Sequence, residues 1–269
     1  YYEAKYTKLQ KKVRGALRDM NGAKSVGVIE RDEKKGIIKI AKPVGVIGAI
    51  VPCTNPEATP VIKAISAIKG RNAVVFSPHP RTKKTNKLIV DIMRDVLKRH
   101  GAPEDLLITV ENPTVEISNE VMRQCDLVVA TGGGPMVKAA YSSGKPAYGV
   151  GVGNAVVVVD ETADIADAAK KIMISKTFDY ATSCSADNSL VIQESIYDKL
   201  IEALKAEGGY LVTPEEKEKL RNTMWVDGHL NREITAQSAQ KIASLAGIQI
   251  PEDRTFIMVP EDGVGKDHP

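Results

Sequence analysis

Val44-Gly-Val-Ile-Gly-Ala-Ile-Val51 carries no polar side chain at any position, and Pro43 and Pro52 lie close to its ends. The run is too short for an ordinary helix, and polar residues do not alternate through it. It reads as a strand buried on both faces, as parallel sheets contain. Downstream, Pro60 opens a helix with Ile62, Ile65 and Ile68 on one side, and Gly70 closes it. Ala73-Val-Val-Phe76 is a second strand. Thr82 to Arg99 is a long helix, with Leu88, Ile92 and Val96 facing inward and Gly101 ending it. Leu106 to Val110 is a third strand, Val115 to Met122 a short helix, and Leu127-Val-Val-Ala130 a fourth strand. Pro135 starts the next helix in its first turn. This alternation predicts an α/β fold, a doubly wound Rossmann-like parallel sheet with right-handed crossovers. Upstream, Leu9, Val13, Leu17 and Met20 predict a helix over 6–20.

Past Gly149 the texture changes. Ala155-Val-Val-Val-Val159 is a strand, and Asp164 begins a helix that buries Ile165, Ala168, Ala169 and Ile172. Leu190 to Ile192 is a strand, and Ser195 caps a helix carrying Tyr197, Leu200, Ile201 and Leu204. The glycine-rich 149–154 marks a boundary. A nucleotide-binding domain with an N-terminal helical segment is expected over 1–153, and a second α/β, catalytic domain over 154–269.

Composition removes several classes of function. Hydrophobic residues are 43% and charged residues 26%, values of a chain with a real core. The net charge of +3 is too small to imply a nucleic acid, and 4% aromatics disfavour base stacking. No apolar run is long enough to cross a bilayer, so no membrane partner is expected. The N-terminus has no apolar signal core. Cys53, Cys125 and Cys184 are an odd number and cannot make a disulfide framework, which suits a reducing cytoplasm. His79, His100, His229 and His268 lack metal spacing, and no metal is expected.

Parallel sheets bind ligands beyond the carboxyl ends of their strands. Three loops fall there: Pro52-Cys-Thr-Asn-Pro56, Ser77-Pro-His-Pro80 and Thr131-Gly-Gly-Gly-Pro135. Their glycines admit an anion to backbone amides, and the helix after Pro135 presents its positive end. Any one loop reads equally as a tight turn; three on one edge point to a nucleotide. The fingerprint G-x-G-x-x-G is absent. His79 is either a ligand contact or an ordinary loop residue. Arg81, Lys83 and Lys84 are either a solvated face or phosphate contacts. Cys125 leads into an apolar strand and reads as a small core residue. Cys184, in Thr182-Ser-Cys-Ser185, has polar neighbours able to donate to a thiolate. Cys53 stays open between packing and the site.

Several segments, in one order, resemble the CoA-acylating aldehyde dehydrogenases. They are Gly45-Val-Ile-Gly-Ala-Ile-Val-Pro-Cys-Thr-Asn-Pro-Glu-Ala-Thr-Pro60, Asn72-Ala-Val-Val-Phe-Ser-Pro-His-Pro80 and Ala130-Thr-Gly-Gly-Gly-Pro-Met-Val137. Gly149-Val-Gly-Val-Gly-Asn154, Val159-Asp-Glu-Thr-Ala-Asp164, Ser175-Lys-Thr-Phe-Asp179 and Thr182-Ser-Cys-Ser185 complete the set. The resemblance implies Cys184 as nucleophile. It implies Asn55 as donor to an oxyanion, with the Cys184 backbone amide. With the three loops it gives a cofactor-binding set of Ile50, Val51, Pro52, Thr54, Asn55, Ser77, His79, Pro80, Thr131, Gly132, Gly133, Gly134 and Gly151.

The implied cofactor is NAD or NADP, with coenzyme A as co-substrate. The implied partners are a small aldehyde, of acetaldehyde or sulfoacetaldehyde type, and its acyl-CoA, in a homo-oligomer (dimer or higher). Hydrolytic members carry a Glu base where this chain has Gly149, and a ribose-binding Lys where it has Ser77. Water, with pKa about 15.7, needs a base to attack a thioester. A thiol with pKa about 8.5 does not, so CoA is the expected acceptor. Family members continue beyond residue 269, so a truncated portion of the enzyme is expected. The alternatives are a hydrolytic aldehyde dehydrogenase giving a free acid and a non-catalytic nucleotide-binding module.

Overall fold

The structure is a computed structural model that describes residues 2–151, 153–263 and 265. His268 lies outside the described residues. The chain forms two compact units, Tyr2–Val152 and Gly153–Pro269.

The first unit opens with helix α1 (Tyr2–Met20) and an antiparallel hairpin of β1 (Gly27–Asp32) and β2 (Ile37–Ala41). Strands and helices then alternate: β3 (Val46–Val51), α2 (Ala58–Lys69), β4 (Ala73–Pro78), α3 (Lys83–Arg99), β5 (Leu107–Thr109), α4 (Val115–Gln124), β6 (Leu127–Thr131), α5 (Gly134–Tyr141) and β7 (Ala147–Val150). The five strands β3 to β7 make one parallel sheet in the order β5-β4-β3-β6-β7. The expected doubly wound sheet is therefore present, with β3 at its centre. From β3 the chain winds outward through β4 and β5, then returns to wind the other way through β6 and β7.

The centre of the sheet explains its sequence. Five of the six β3 residues are buried, and Ile47, Ala49 and Val51 share a core with Val74, Phe76, Val90 and Leu107. Burying a side chain of this size contributes about 1.5–3 kcal/mol. Gly45 precedes the strand at φ +119, where the Oδ2 of Asp126 would lie 2.1 Å from an added Cβ. That carboxylate oxygen accepts from the Val46 amide at 2.8 Å, so a side chain at 45 would break the pin between strand and α4–β6 turn.

The inward face of α3 is corrected, and one element is new. The inward face of α3 is not Leu88, Ile92 and Val96, which are 61%, 54% and 39% exposed. Asn86 and Val90 are buried instead, and Met93 and Leu97 pack on the core. The helix has two apolar stripes. Thr109 Oγ1 donates to Asn86 Oδ1 at 2.7 Å, and Arg94 donates to the Leu107 carbonyl at 2.7 Å, and these polar bonds fix which stripe meets the sheet. On α2 the buried residues are Ala58, Pro60, Ala64 and Ala67, with Ile62 and Ile65 half-buried. Ala64 and Ala67 pack on the sheet core, with Ile68 against it. The N-terminal hairpin was not expected at all: its strands bury no residue, and Ile37, Ile38 and Ile40 are about half exposed.

The second unit starts with β8 (Ala155–Val159), α6 (Ile165–Thr177) and β9 (Asp187–Ile192), with the two strands paired in parallel. Asp164 caps α6 by accepting from the Asp167 amide, as its place before the apolar stripe predicts. Next come α7 (Tyr197–Ala206), β10 (Gly209–Leu211), α8 (Pro214–Met224), the short β11 (Trp225–Val226) and β12 (His229–Leu230), α9 (Ala239–Leu245) and β13 (Phe256–Met258). β10 pairs with β13 in parallel. Ser195 does not cap α7. It lies inside a 3-10 turn, Glu194–Ile196, and the cap position falls to Ile196, with no side-chain bond. Leu200 and Leu204 join Val159, Ala169 and Ile172 in the core of this unit.

Candidate active site

Parallel pairing puts the expected loops on one edge. Ile50 pairs with Ser77 on one side and Ala130 on the other; Val51 pairs with Pro78, and Thr131 with Val150. The loops after β3, β4 and β6, and Gly151 after β7, therefore leave the sheet at one level. The winding reverses between β3 and β6, which is where sheets of this kind open a crevice.

After β3, Ile50 and Val51 are buried, Pro52, Cys53 and Thr54 half-buried, and Asn55 is 8% exposed. Lys5 of α1 donates to the Thr54 carbonyl at 2.7 Å. Asn55 donates from Nδ2 to Thr54 Oγ1 at 3.2 Å, and its backbone carbonyl accepts from the Thr59 amide as α2 begins. Its Oδ1 is buried with no hydrogen-bond partner, as is Oε1 of Glu57. Two such orphaned acceptors on one short loop cost about 1–3 kcal/mol each and mark the loop for something other than stability.

After β4, Ser77 is 1% exposed, and its hydroxyl lies 2.8 Å from that of Ser118, which donates to the Thr114 carbonyl. Ser77 is thus an internal strut between β4 and α4 and is shut off from solvent. His79 is exposed, and its Nδ1 accepts from the Arg81 amide, capping a 3-10 turn that starts at Pro80. Lys83 donates to Asn112 at 3.0 Å, while Arg81 and Lys84 are exposed.

After β6, Thr131 and Gly132 are half-buried, and the Gly132 amide donates to the Val150 carbonyl at 3.1 Å. Gly133 takes the cap position of α5, with Pro135 in the first turn. Gly133 and Gly134 are exposed, and an added Cβ at Gly134 meets nothing within 4 Å. The helix start is therefore open to a ligand of some bulk. Open amides at a positive helix end suit a pyrophosphate, so this edge fits a dinucleotide.

Gly149, in β7, is a different case. An added Cβ would lie 2.6 Å from Val137 and 2.8 Å from the Tyr141 ring, whose hydroxyl is bonded to both the amide and the carbonyl of Gly149. A glutamate at 149 has no room without displacing Tyr141.

In the second unit Cys184 stands exposed. The Ala186 amide donates to the Ser183 carbonyl at 3.0 Å, closing a four-residue turn with Cys184 near its tip. The approach to the turn is strained. Asp179, Tyr180 and Ala181 have φ of 54, 50 and 53, three consecutive left-handed residues, none of them glycine. Each costs about 1–2 kcal/mol. Buried Asp179 accepts from the Thr182 hydroxyl on this bend. The exit is tied down: the Asp187 amide donates to Ser175 on α6, and Asn154 bonds with Asn188 and Ser189. Tyr180 lines a shallow hollow with Thr235, Ala236, Gln237 and Ser238. Cys125 contrasts with Cys184: it is 3% exposed, and burial raises its pKa.

Residues 5–222 match the model of the aldehyde dehydrogenase family. The chain belongs to that family. An acylating sulfoacetaldehyde dehydrogenase of Bilophila wadsworthia is 52% identical over 96% of this chain and 56% of its own length. An acetylating aldehyde dehydrogenase from Geobacillus thermoglucosidasius has a crystal structure with TM-score 0.88 and 39% identity, over 99% of this chain and 64% of that one. A propionaldehyde dehydrogenase of Rhodopseudomonas palustris, solved with bound CoA and an acylated cysteine, is 38% identical, with TM-score 0.78, over 82% of this chain and 52% of that one. The chain spans about half the length of the curated relatives it matches first.

Two features of this chain have no motif in the sequence. One is the left-handed bend before Cys184, for which Phe178-Asp-Tyr-Ala181 gives no warning. The other is Lys63, whose Nζ donates to the carbonyls of Ile50 at 2.8 Å and Val129 at 2.7 Å. Desolvation lowers its pKa from 10.5 to about 7. A lone lysine in the apolar run Val61-Ile62-Lys63-Ala64-Ile65 was the available signal. Among the described residues no group of three or more His, Cys, Asp and Glu side chains is placed to hold a metal, and no helix is long and apolar enough to cross a membrane.

Proposed function

We propose that this chain carries the cofactor edge and the nucleophile of a CoA-acylating aldehyde dehydrogenase. The reaction is aldehyde + CoA + NAD(P)+ to acyl-CoA + NAD(P)H + H+, run in either direction. The observation that carries the reading is Cys184, exposed on a polar turn whose entry is strained and whose exit is anchored. Its support is family kinship with the sulfoacetaldehyde enzyme and with the propionaldehyde enzyme solved with an acylated cysteine.

The residues divide the work. The Cys184 thiolate adds to the aldehyde carbon, forming a C–S bond and placing the electron pair on oxygen. The Asn55 side-chain amide and the Cys184 backbone amide donate to that oxyanion. NAD or NADP held on the sheet edge would supply the hydride acceptor, and loss of hydride from the carbon re-forms the carbonyl as a thioester on Cys184. The thiolate of CoA then adds to the same carbon, and the Cys184 thiolate departs as acyl-CoA is released. With glycine at 149 and Tyr141 filling the space beside it, no carboxylate is supplied there to draw a proton from water. Gly133 and Gly134, at the start of α5, would hold the pyrophosphate. The polar surroundings of Cys184 in Thr182-Ser-Cys-Ser185 suit a small polar aldehyde. The odd cysteine count suits a cytoplasmic protein, and the exposed isoleucines of the β1–β2 hairpin suit a homo-oligomer.

Peptide mapping after incubation with acyl-CoA and no reduced nicotinamide tests the reading. The acyl mass is expected on the peptide containing Cys184. An acyl group on Cys53, or none on any cysteine, would overturn the assignment.

A further inference from the structure

Lys63 is spent on main chain rather than on an acid. Among the described residues no carboxylate pairs with its Nζ, which instead meets two carbonyls, Ile50 O on β3 and Val129 O on β6. These are adjacent central strands, and Ile50 pairs with Ala130, the residue after Val129. The Val51 carbonyl accepts from the His79 amide on the β4 side. Carbonyl direction alternates along a strand, so that of Ile50 faces β6. Lys63 therefore closes the sheet where the two windings part. One strand continues into the Asn55 loop, the other into Gly132 and Gly133.

We propose that Lys63 is a positioning residue for the cofactor: its side chain clasps the two strand ends and so sets the spacing between the Asn55 loop and the glycine loop. The proposal rests on the nucleotide reading of this edge given above. Stability alone does not account for the residue. A buried amine without a counter-ion costs free energy, and a methionine of similar length would fill the place without that cost. The same burial brings the pKa down to about 7, and even a neutral amine keeps two N–H groups for two carbonyls.

The test compares the intact protein with Lys63→Met, which has no donor, and Lys63→Gln, which keeps two N–H donors without charge. NADH and NADPH binding is read by nicotinamide fluorescence, folding by Tm, and turnover by steady-state kinetics. The clasp predicts that the methionine variant binds nucleotide tenfold or more weakly, with the nicotinamide KM raised more than kcat is lowered. It predicts that the glutamine variant recovers most of that loss at a similar Tm. Should the methionine variant not fold, the glutamine variant carries the test, and binding within about threefold of wild type is expected. A methionine variant that folds and binds within twofold of wild type would leave Lys63 purely structural and overturn the clasp. So would a folded glutamine variant more than tenfold weaker, which would assign the effect to charge. Wild-type protein that binds neither nucleotide would instead overturn the nucleotide reading, and the clasp with it.

Discussion

At the sheet edge Asn55 is 8% exposed, in a loop held by Lys5 and by the start of α2. At the Cys184 turn the side chain is exposed, on a bend with three left-handed residues. The first region is pre-organised by burial, the second by strain. Burial suits a group that must donate a hydrogen bond in a fixed direction, because it excludes water and holds the rotamer. Exposure suits a thiolate that must meet two substrates in turn. Strain persists only where surrounding bonds enforce it, and here the Thr182–Asp179 and Asp187–Ser175 bonds do so.

Removing the proposed nucleophile should produce the largest effect. Cys184→Ser is expected to lower acyl transfer by at least about 10³-fold with Tm unchanged. Cys125→Ser should do the reverse, retaining turnover but losing about 1–3 kcal/mol of stability for a buried hydroxyl. Chemical denaturation and single-turnover assays read both. A Cys184→Ser variant with near-native turnover would erase the contrast. Asn55→Ala should cost about 10²–10³-fold in kcat, the usual loss for one oxyanion donor. Its cofactor Kd should move little; a large change in Kd with kcat intact would make Asn55 a cofactor ligand only.

A pH series sharpens the buried side of the comparison. Folding lowers the Lys63 pKa from 10.5 to about 7. Between those values the unfolded chain holds a proton that the folded chain has released, so this group's contribution to stability rises with pH. Below about 7 both states are protonated and the full penalty of a buried charge applies. Wild type should therefore gain roughly 2 kcal/mol on Lys63→Met between pH 7 and 9. Parallel stability curves would contradict the burial argument. The smallest effect belongs to the strained side: Ala181→Gly should stabilise the fold by about 1 kcal/mol, since glycine takes φ 53 without a Cβ clash. No change in Tm would show that the bend is not strained at this residue.

The sheet was legible because strands buried on both faces leave apolar runs with no competing reading, as Val44 to Val51 does. The hairpin β1–β2 was not, since its isoleucines are exposed and no buried face writes a period into the sequence. The inward face of α3 is hidden in the sequence for a related reason. Leu88, Ile92 and Val96 form as regular a stripe as Val90, Met93 and Leu97, and the choice is made by hydrogen bonds of Asn86 and Arg94 to distant residues. In the candidate site, Cys184 is marked by its small polar turn, and Asn55 by the resemblance of its loop to the family's. Ser77 matched a loop motif, yet the structure turns its hydroxyl to Ser118. Lys63 depends on desolvation and the left-handed bend on φ, and neither is a property of local sequence.

The central claim concerns the acyl acceptor. The intact protein, given aldehyde and NAD(P)+ without CoA, should release NAD(P)H in a burst equal to the number of active sites and then stall, with the acyl group held on Cys184. Adding CoA should restart turnover, and mass spectrometry should find acyl-CoA as the product. Sustained formation of free acid by wild-type protein in the absence of CoA would contradict it.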